Sequence, residues 1–242
     1  MKVEAFIIAW NEAETIHLTI NHYKSFCDKI TIYDNYSDDG TKEIAEQFGC
    51  EVKTFGIKGV LSDQEYVNLK NNCWKNSDAD WVIVCDCDEI LHHPRIYDVL
   101  HDNIDKATTF KTYGWQVFSE NVPRVSWLEE TNGFHDSNYS KSIIFNPRKI
   151  KEIGYVYGCH HAKIRGDIRM SDDVLTIFHY RNIGGAQRLV KRHEEYRKRL
   201  SDINKKWNLG VHYTYEDERR VREWNEQHEK SKTYSGAGII SP

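Results

Sequence analysis

The sequence predicts an α/β protein built on a doubly wound, mostly parallel sheet. Three observations carry this. The first hundred residues alternate strand and helix patterns in a β-α-β-α-β-α-β series. The last of those strands, in Trp81-Val82-Ile83-Val84-Cys85, is a continuous apolar run suited to burial. Three of the strand patterns end in acidic or amide residues, and ligands of such sheets bind outside the carboxyl ends of the strands.

Residues 3–9 form the first strand, and Asn11 to Phe26 a helix that opens on Glu12 and Glu14. Residues 30–33 form a short strand ending at Asp34. The turn Asp38-Asp39-Gly40-Thr41 leads into a helix that runs to about Phe48 and stops at Gly49. Glu51 to Phe55 is a third strand. Ser62 to Asn76 is a helix with Ser62 as N-cap and Glu65 three residues on, the pattern of a capping box. The apolar strand then ends in Asp86-Cys87-Asp88-Glu89.

The pattern changes after Pro94. Thr108 to Phe118 and Lys141 to Phe145 read as strands with no helix between them, separated by a polar, aromatic loop over 119–139. Val174 to His179 is a further strand. Gly184 to about Trp207 is strongly helical, and the tail from Ser235 onward, with Gly236 and Gly238, reads as loose. The predicted organisation is therefore a domain over 1–183, with an alternating α/β half (1–100) and a β-rich half (101–183). A C-terminal helical extension follows over 184–242.

Composition narrows the function classes. The chain has 242 residues, 39% hydrophobic and 12% aromatic, enough for a real core. A net charge of −4 argues against a general nucleic-acid binder. No apolar run approaches the ~18 residues of a membrane span. The opening Met1-Lys2-Val3-Glu4-Ala5-Phe6-Ile7 reads as a core strand, not a signal peptide. None of the six cysteines forms Cys-x-x-Cys, which argues against a zinc ribbon or thioredoxin-like site; without an export signal, reduced thiols in a cytoplasmic protein, at most at the inner face of a membrane, are expected.

The chemistry points to one edge of the sheet. Asp86 and Asp88 are two apart, so strand alternation puts them on one side. Two carboxylates that close repel unless a cation sits between them. A divalent ion with oxygen ligands, shared with a ligand's phosphates, resolves the repulsion. Trp10-Asn11-Glu12 and Asp34-Asn35-Tyr36-Ser37-Asp38-Asp39-Gly40-Thr41 end two other parallel strands and would line the same crevice. Each segment alone is a common cap or turn; the three in this order are far more specific.

Here the sequence resembles the family 2-like glycosyltransferases of GT-A fold, in the subgroup with Asp-x-Asp-Glu. The resemblance rests on Ala-Trp-Asn-Glu-Ala-Glu, Tyr-Asp-Asn-Tyr-Ser-Asp-Asp-Gly-Thr and Trp-Val-Ile-Val-Cys-Asp-Cys-Asp-Glu-Ile-Leu. It covers 3–94 well and 141–200 more loosely. It implies a Rossmann-like half that binds a nucleotide diphosphate sugar, a UDP-sugar favoured, with Mn²⁺ or Mg²⁺. The acceptor would be a glycan or lipid-linked sugar in polysaccharide synthesis, and the transfer inverting. By motif, Asn11, Glu12, Asp34, Asp39 and Asp86 would lie at the nucleotide. Asp88 would bind the metal, with Asp86 touching the ribose or a metal water. A late histidine often completes the metal shell, and His179 in Phe178-His179-Tyr180-Arg181 is the favoured candidate, ahead of His160 and His161.

Other positions are open. Glu89 is either an acceptor-side residue or a carboxylate paired with a Lys or Arg. Lys141 and Arg181 are candidates to approach phosphates, although a strand-edge lysine is usually just solvated. Inversion needs a carboxylate base; Glu129, Glu130 and Asp136 are the candidates in the aromatic loop, with Asp136 or Glu130 favoured. The helix over 187–206 carries a basic face. Solvation explains it, and the sharper reading is contact with anionic lipid headgroups or a phosphorylated acceptor.

Three alternatives fit the sequence less well. A haloacid-dehalogenase-type hydrolase would carry its Asp-x-Asp on the first strand. A nucleotidyltransferase would carry a Gly-rich basic loop near the N-terminus. A non-catalytic carbohydrate- or nucleotide-binding module would need no metal-spaced carboxylates.

Overall fold

β1 (Val3–Ala9) is buried along its whole length and pairs in parallel with β2 (Lys29–Asp34), which pairs in parallel with β3 (Glu51–Thr54). On its other side β1 pairs in parallel with β4 (Trp81–Asp86). This computed structural model describes residues 1–236. The four strands reproduce the predicted parallel half. Both faces are covered, as a parallel sheet requires. Ala5, Ile7, Ile83 and Cys85 meet α1 (Ile16–Lys24) and α2 (Thr41–Gln47); Phe6, Ile8, Val82 and Val84 meet α3 (Asp63–Asn72) and Trp74.

Two local expectations are corrected here. The first helix begins at Ile16, not Asn11. Asn11 takes a left-handed φ of +52°, and the Glu12 carbonyl accepts from both Thr15 and Ile16 in a turn that precedes the helix. Ser62 is the N-cap of α3, but its side chain makes no capping bond. The α3 entry is held instead by Asn204, whose Oδ1 accepts from Asp63 N at 3.1 Å and whose Nδ2 donates to Asp63 Oδ1 at 2.8 Å.

Beyond β4 the chain turns at Cys87-Asp88 into β5 (Glu89–His92), then α4 (Ile96–Asp102) and β6 (Thr109–Ser119). The expected loop over 119–139 contains β7 (Asn132–His135), antiparallel to β6. Of the strand expected over 141–145 only β8 (Ile144–Phe145) forms, wedged antiparallel between β4 and β6. A small separate hairpin joins β9 (Ile150–Glu152) and β10 (Arg165–Gly166). β11 (Met170–Ile183) is longer than the predicted 174–179. It runs parallel to β6 and antiparallel to β5.

The C-terminal helix is also broken. α5 (Gly185–Arg199) ends at Leu200, followed by the short α6 (Asp202–Lys206) and then α7 (Asp217–Lys230), which the pattern reading did not anticipate. α7 packs through Trp224, whose Nε1 donates to Asn182 O at 3.0 Å. β12 (Lys232–Thr233) closes the edge on β7. Ten of the strands share one mixed sheet, mostly parallel in its first half, with helices on both faces. This is the GT-A arrangement the resemblance implied. Gly238 of the tail lies outside the described residues.

Candidate active site

A cleft of about 380 Å³ opens at the carboxyl edge of β1 and β4. Its wall includes Glu12, Asp63, Lys70, Asp86, Asp88, Tyr139, Lys141, His160, His179 and Arg181, together with Tyr196, His212 and Tyr213. The sheet delivers the acids. β4 stops at Asp86, and the Cys87-Asp88 turn presents the next carboxylate beside it. β11 brings His179 opposite Glu89 of β5 and Gln116 of β6.

His179 is positioned on three sides. Its Nδ1 lies 2.8 Å from Gln116 Oε1, an oxygen that also accepts from Asn182 Nδ2 at 3.3 Å. An acceptor there assigns the ring proton to Nδ1 and leaves the Nε2 lone pair free. Nε2 faces Asp88 Oδ2 at 3.7 Å. The Tyr139 ring stacks on the imidazole, centroids 4.1 Å apart and planes 26° apart. Gly114 of β6 makes that stack feasible, since a Cβ there would sit 2.4 Å from the Tyr139 carbonyl carbon. Burial, followed by the Lys141 charge, holds His179 well below its ordinary pKa, so the ring is neutral.

Beneath these groups lie two ion pairs, one sealed and one open to the cleft on its acid side. Lys70 of α3, 3% exposed, reaches Asp86 Oδ1 at 2.8 Å. Lys141 pairs with Glu89, which is fully buried and also accepts from Asp86 N at 3.0 Å. Burial opposes ionisation of Glu89, but Lys141 and then Lys70 override it and hold the carboxyl below the usual range. Both lysines are held protonated against burial, Lys70 by the Asp86 charge and Lys141 by the Glu89 charge. Glu89 therefore takes the ion-pair role of its two expected alternatives and does not line the cleft.

The far wall differs. Arg181 has no carboxylate partner among the described residues. Its Nη2 lies 3.0 Å from His193 Nε2 and 3.5 Å from His212 Nε2, and the guanidinium sits 5.1 Å from the Tyr213 ring centre. Both imidazoles are depressed by burial and then by Arg181, His193 to about 2 and His212 to about 4. A permanent cation is thus packed against neutral rings, facing the cleft.

The remaining predicted residues fall in several places. Glu12 lines the cleft but is clamped by Arg192 of α5, whose Nη1 donates to Oε2 at 3.1 Å and whose Nη2 reaches Oε1. Asn11 ties the β1 and β2 loops together, its Nδ2 on Asp38 Oδ1 at 2.8 Å and its Oδ1 accepting from Asp38 N at 3.1 Å. Asp39 is likewise consumed locally, Oδ1 by Thr41 and Oδ2 by Ala13 N at 3.0 Å. Neither lines the cleft. Asp34 is buried at the end of β2, and its Oδ1 has no partner. His160 is in the wall, Nδ1 3.0 Å from Asn138 O, whereas His161 is exposed and outside it.

The expected base candidates are not in the wall either. Asp136 accepts from Asn138 N at 2.9 Å as the cap of a short 3₁₀ turn, and Glu130 accepts from Asn121 Nδ2 at 3.3 Å. A local turn and a neighbouring amide absorb these two acids. The basic helix is a solvated face only in part. Arg188 binds Glu14, Arg192 binds Glu12, and Arg199 is buried over Trp10. The charges left on its surface are Lys191, Arg197 and Lys198 on α5, and Lys205 and Lys206 on α6.

Lys70, Arg192, His193, His212 and Tyr213 were not anticipated. Lys70 left a signal, because it occupies the i+4 position from Tyr66 and i−3 from Cys73 on the apolar face of α3. A lysine on such a face asks for a buried partner.

A family model described as glycosyl transferase family 2 matches residues 5–168, more than half of the chain. The chain belongs to glycosyl transferase family 2. Relatives include uncharacterized glycosyltransferases of Rickettsia felis, 38% identical over 90 residues, and Rickettsia bellii, 37% identical over 90 residues. Each match covers 37% of this chain and 30% or 29% of the relative, so the chain matches under a third of those proteins' length. Among solved structures, S. aureus TarS 1-349 superposes with a TM-score of 0.48 at 14% identity, covering 100% of this chain and 76% of that one. Glucosyl-3-phosphoglycerate synthase from Mycobacterium tuberculosis, in complex with Mn²⁺ and UDP, gives 0.35 at 18%, covering 47% and 43%. Within the family 2 chain the matched residues include every acid of the cleft wall, while His179 and Arg181 lie beyond them.

Proposed function

We propose that this family 2 chain transfers a sugar from a nucleotide diphosphate sugar, a UDP-sugar favoured, to a hydroxyl acceptor with the help of Mn²⁺ or Mg²⁺. The observation that carries the reading is the meeting of Asp88 with a neutral His179 in the cleft, their ligand atoms 3.7 Å apart. An oxygen and an imidazole nitrogen suit Mn²⁺ well. Among the described residues no group of three His, Cys, Asp or Glu side chains could hold an ion by itself. A diphosphate would supply the remaining oxygens, so the donor and the ion would bind together. The ion, when bound, stabilises the charge that develops on the departing diphosphate.

The chain's own residues do the rest. Gln116 and Tyr139 fix the His179 ring. Lys70 holds Asp86 in place at the cleft, where it would meet the ribose or a metal-bound water. Arg181, lacking a carboxylate partner, would take a phosphate oxygen of the donor or acceptor, and His160 lines the side from which an acceptor would approach. Transfer is read as inverting, with the acceptor proton leaving to a carboxylate. In this arrangement neither Asp136 nor Glu130 reaches the cleft, so neither is given that role. The acceptor is read as a glycan or lipid-linked sugar. An anionic membrane surface would meet Lys191, Arg197, Lys205 and Lys206 rather than the arginines already used inside the fold. No described helix is long and apolar enough to cross a membrane.

Thermal melts with a panel of nucleoside diphosphates, with and without Mn²⁺, test the reading on wild type and Asp88→Ala. A ligand bound only to the native state raises Tm by mass action. The expected result is stabilisation by one diphosphate only with Mn²⁺, abolished by Asp88→Ala. No stabilisation under any metal would remove the main support and favour a non-catalytic binding module.

A further inference from the structure

Asp88 and His179 are held from behind, by residues that never enter the cleft. Among the described residues no hydrogen bond reaches the Asp88 carboxylate, and the group facing it is His179 Nε2 at 3.7 Å. The direction of that carboxylate is therefore set by the backbone that carries it. Both peptide groups flanking Asp88 are tied down. The one before it is fixed at Cys87 O, which accepts from Thr19 Oγ1 of α1 at 2.7 Å. The one after it is fixed at Asp88 O, which accepts from Tyr180 N of β11 at 2.8 Å.

The Thr19 hydroxyl is buried and fully used. It donates to Cys87 O, and it accepts from Trp127 Nε1 at 3.0 Å and from Cys87 Sγ at 3.6 Å. A hydroxyl has one proton to give and two lone pairs, so this one cannot turn without breaking a bond. Trp127, also buried, reaches the second strand. Its indole stacks on the Tyr180 ring, centroids 4.4 Å apart and planes 30° apart. Tyr180 is the chain neighbour of His179, as Cys87 is of Asp88. The side chains of Cys87, Tyr180 and Trp127 share the core on the α1 side of the sheet, while Asp88 and His179 line the cleft. One indole thus braces the neighbour of each cleft residue, through a hydroxyl on one side and a ring stack on the other.

We propose that Thr19 and Trp127 are positioning residues for a divalent ion, setting the separation of Asp88 and His179 from the opposite face of the sheet. This rests on the reading of that pair as ion ligands. Neither Thr19 nor Trp127 touches the ion, the donor or the acceptor. A site with so few protein ligands depends on holding them within about 0.5 Å of the right place. Groups that orient a metal ligand typically change metal affinity by about 10- to 100-fold when removed.

The test titrates Mn²⁺ with excess UDP into wild type, Thr19→Val, Thr19→Ser and Trp127→Phe, following the spin-resonance signal of the free ion. Crystal structures of the same proteins give the Asp88–His179 separation without any ligand, and melts fix a temperature at which each is folded. Thr19→Val keeps the shape and removes the hydroxyl; Thr19→Ser keeps the hydroxyl; Trp127→Phe keeps a ring on Tyr180 and removes the N–H. Thr19→Val should weaken Mn²⁺ about 10- to 100-fold and shift the separation by more than about 0.5 Å. Trp127→Phe should have a smaller effect of the same kind and serves if Thr19→Val does not fold. Thr19→Ser should stay near wild type, and a serine variant as weak as the valine one overturns the role of the hydroxyl. Unchanged Mn²⁺ affinity with a lowered melting temperature is the mark of a purely structural contact and overturns the proposal. So does an unchanged separation in both Thr19→Val and Trp127→Phe. If wild type itself binds no Mn²⁺ with UDP, the reading of the pair as ion ligands falls, and the separation alone then decides whether the brace sets their geometry.

Discussion

The floor and the far wall of the cleft handle charge in opposite ways. On the floor every cation has an anion: Lys70 with Asp86, Lys141 with Glu89. On the wall Arg181 is held only by His193, His212 and aromatic rings. A balanced buried pair contributes little net stability but is costly to break. An unbalanced cation behind neutral rings gains most when an anion arrives. The floor therefore fixes geometry, and the wall is where affinity for a phosphate-bearing ligand can be gained.

The largest expected effect comes from splitting the sealed floor pair. Glu89→Ala leaves Lys141 buried without a counter-charge and should cost ~3–5 kcal/mol in denaturant unfolding. A loss under ~1 kcal/mol would mean the floor is less sealed than described. On the wall, Arg181→Met should keep the melting temperature near wild type while weakening a diphosphate ligand by about 10- to 100-fold, the range of a charge-assisted hydrogen bond. Equal loss of stability and binding would erase the contrast between the two regions. Lys70→Met should fall between them. Asp86 is 34% exposed at its side chain and retains water when its partner goes, so a cost of about 1–2 kcal/mol is expected from equilibrium melts.

A pH series sharpens the wall side. The folded pKa of His193 lies near 2, below its unfolded value. The unfolded chain therefore binds this proton first as pH falls through ~6.5, and the native state loses stability. The slope contributed is ~1.4 kcal/mol per pH unit until the folded pKa is reached. His193→Asn should flatten the stability profile between pH 6 and 4, and an unchanged profile would show that the imidazole is not held neutral.

How much of this was legible depends on how far each contact reaches along the chain. β1 to β4 announce themselves through local runs, and Asp86 and Asp88 through the strand that ends in them. Family motifs then located the acids. Asn11 and Asp39 belong to the same motifs, yet their side chains stitch the β1 and β2 loops together. A motif shows that a residue matters without saying whether to ligand or to backbone. The partners of the acids were hidden because they arrive from elsewhere. Arg192 and Arg199 lie in a helix whose composition reads as solvated, and only the packing of α5 against the β1 and β2 loops turns those arginines inward. His179 was expected from the resemblance at the end of a 174–179 strand, whereas β11 runs on to Ile183 and holds it inside the strand; the stacking Tyr139 depends on the close approach at Gly114. α7 was given no helix of its own because its sequence is mostly charged, with Trp224 as the one large apolar residue it buries.

β11 has a consequence for the order of assembly. It is threaded between β5 and β6, parallel to one and antiparallel to the other, and it carries both His179 and Arg181. Its partners were synthesised long before it, and such distant pairings form slowly. A chain released from the ribosome can thus build the β1–β4 core well before it owns a complete cleft. If the cleft holds Mn²⁺ as proposed, that capacity should appear in refolding as a late phase, after most helical signal has returned, and simultaneous recovery of both signals would contradict that sequence of events.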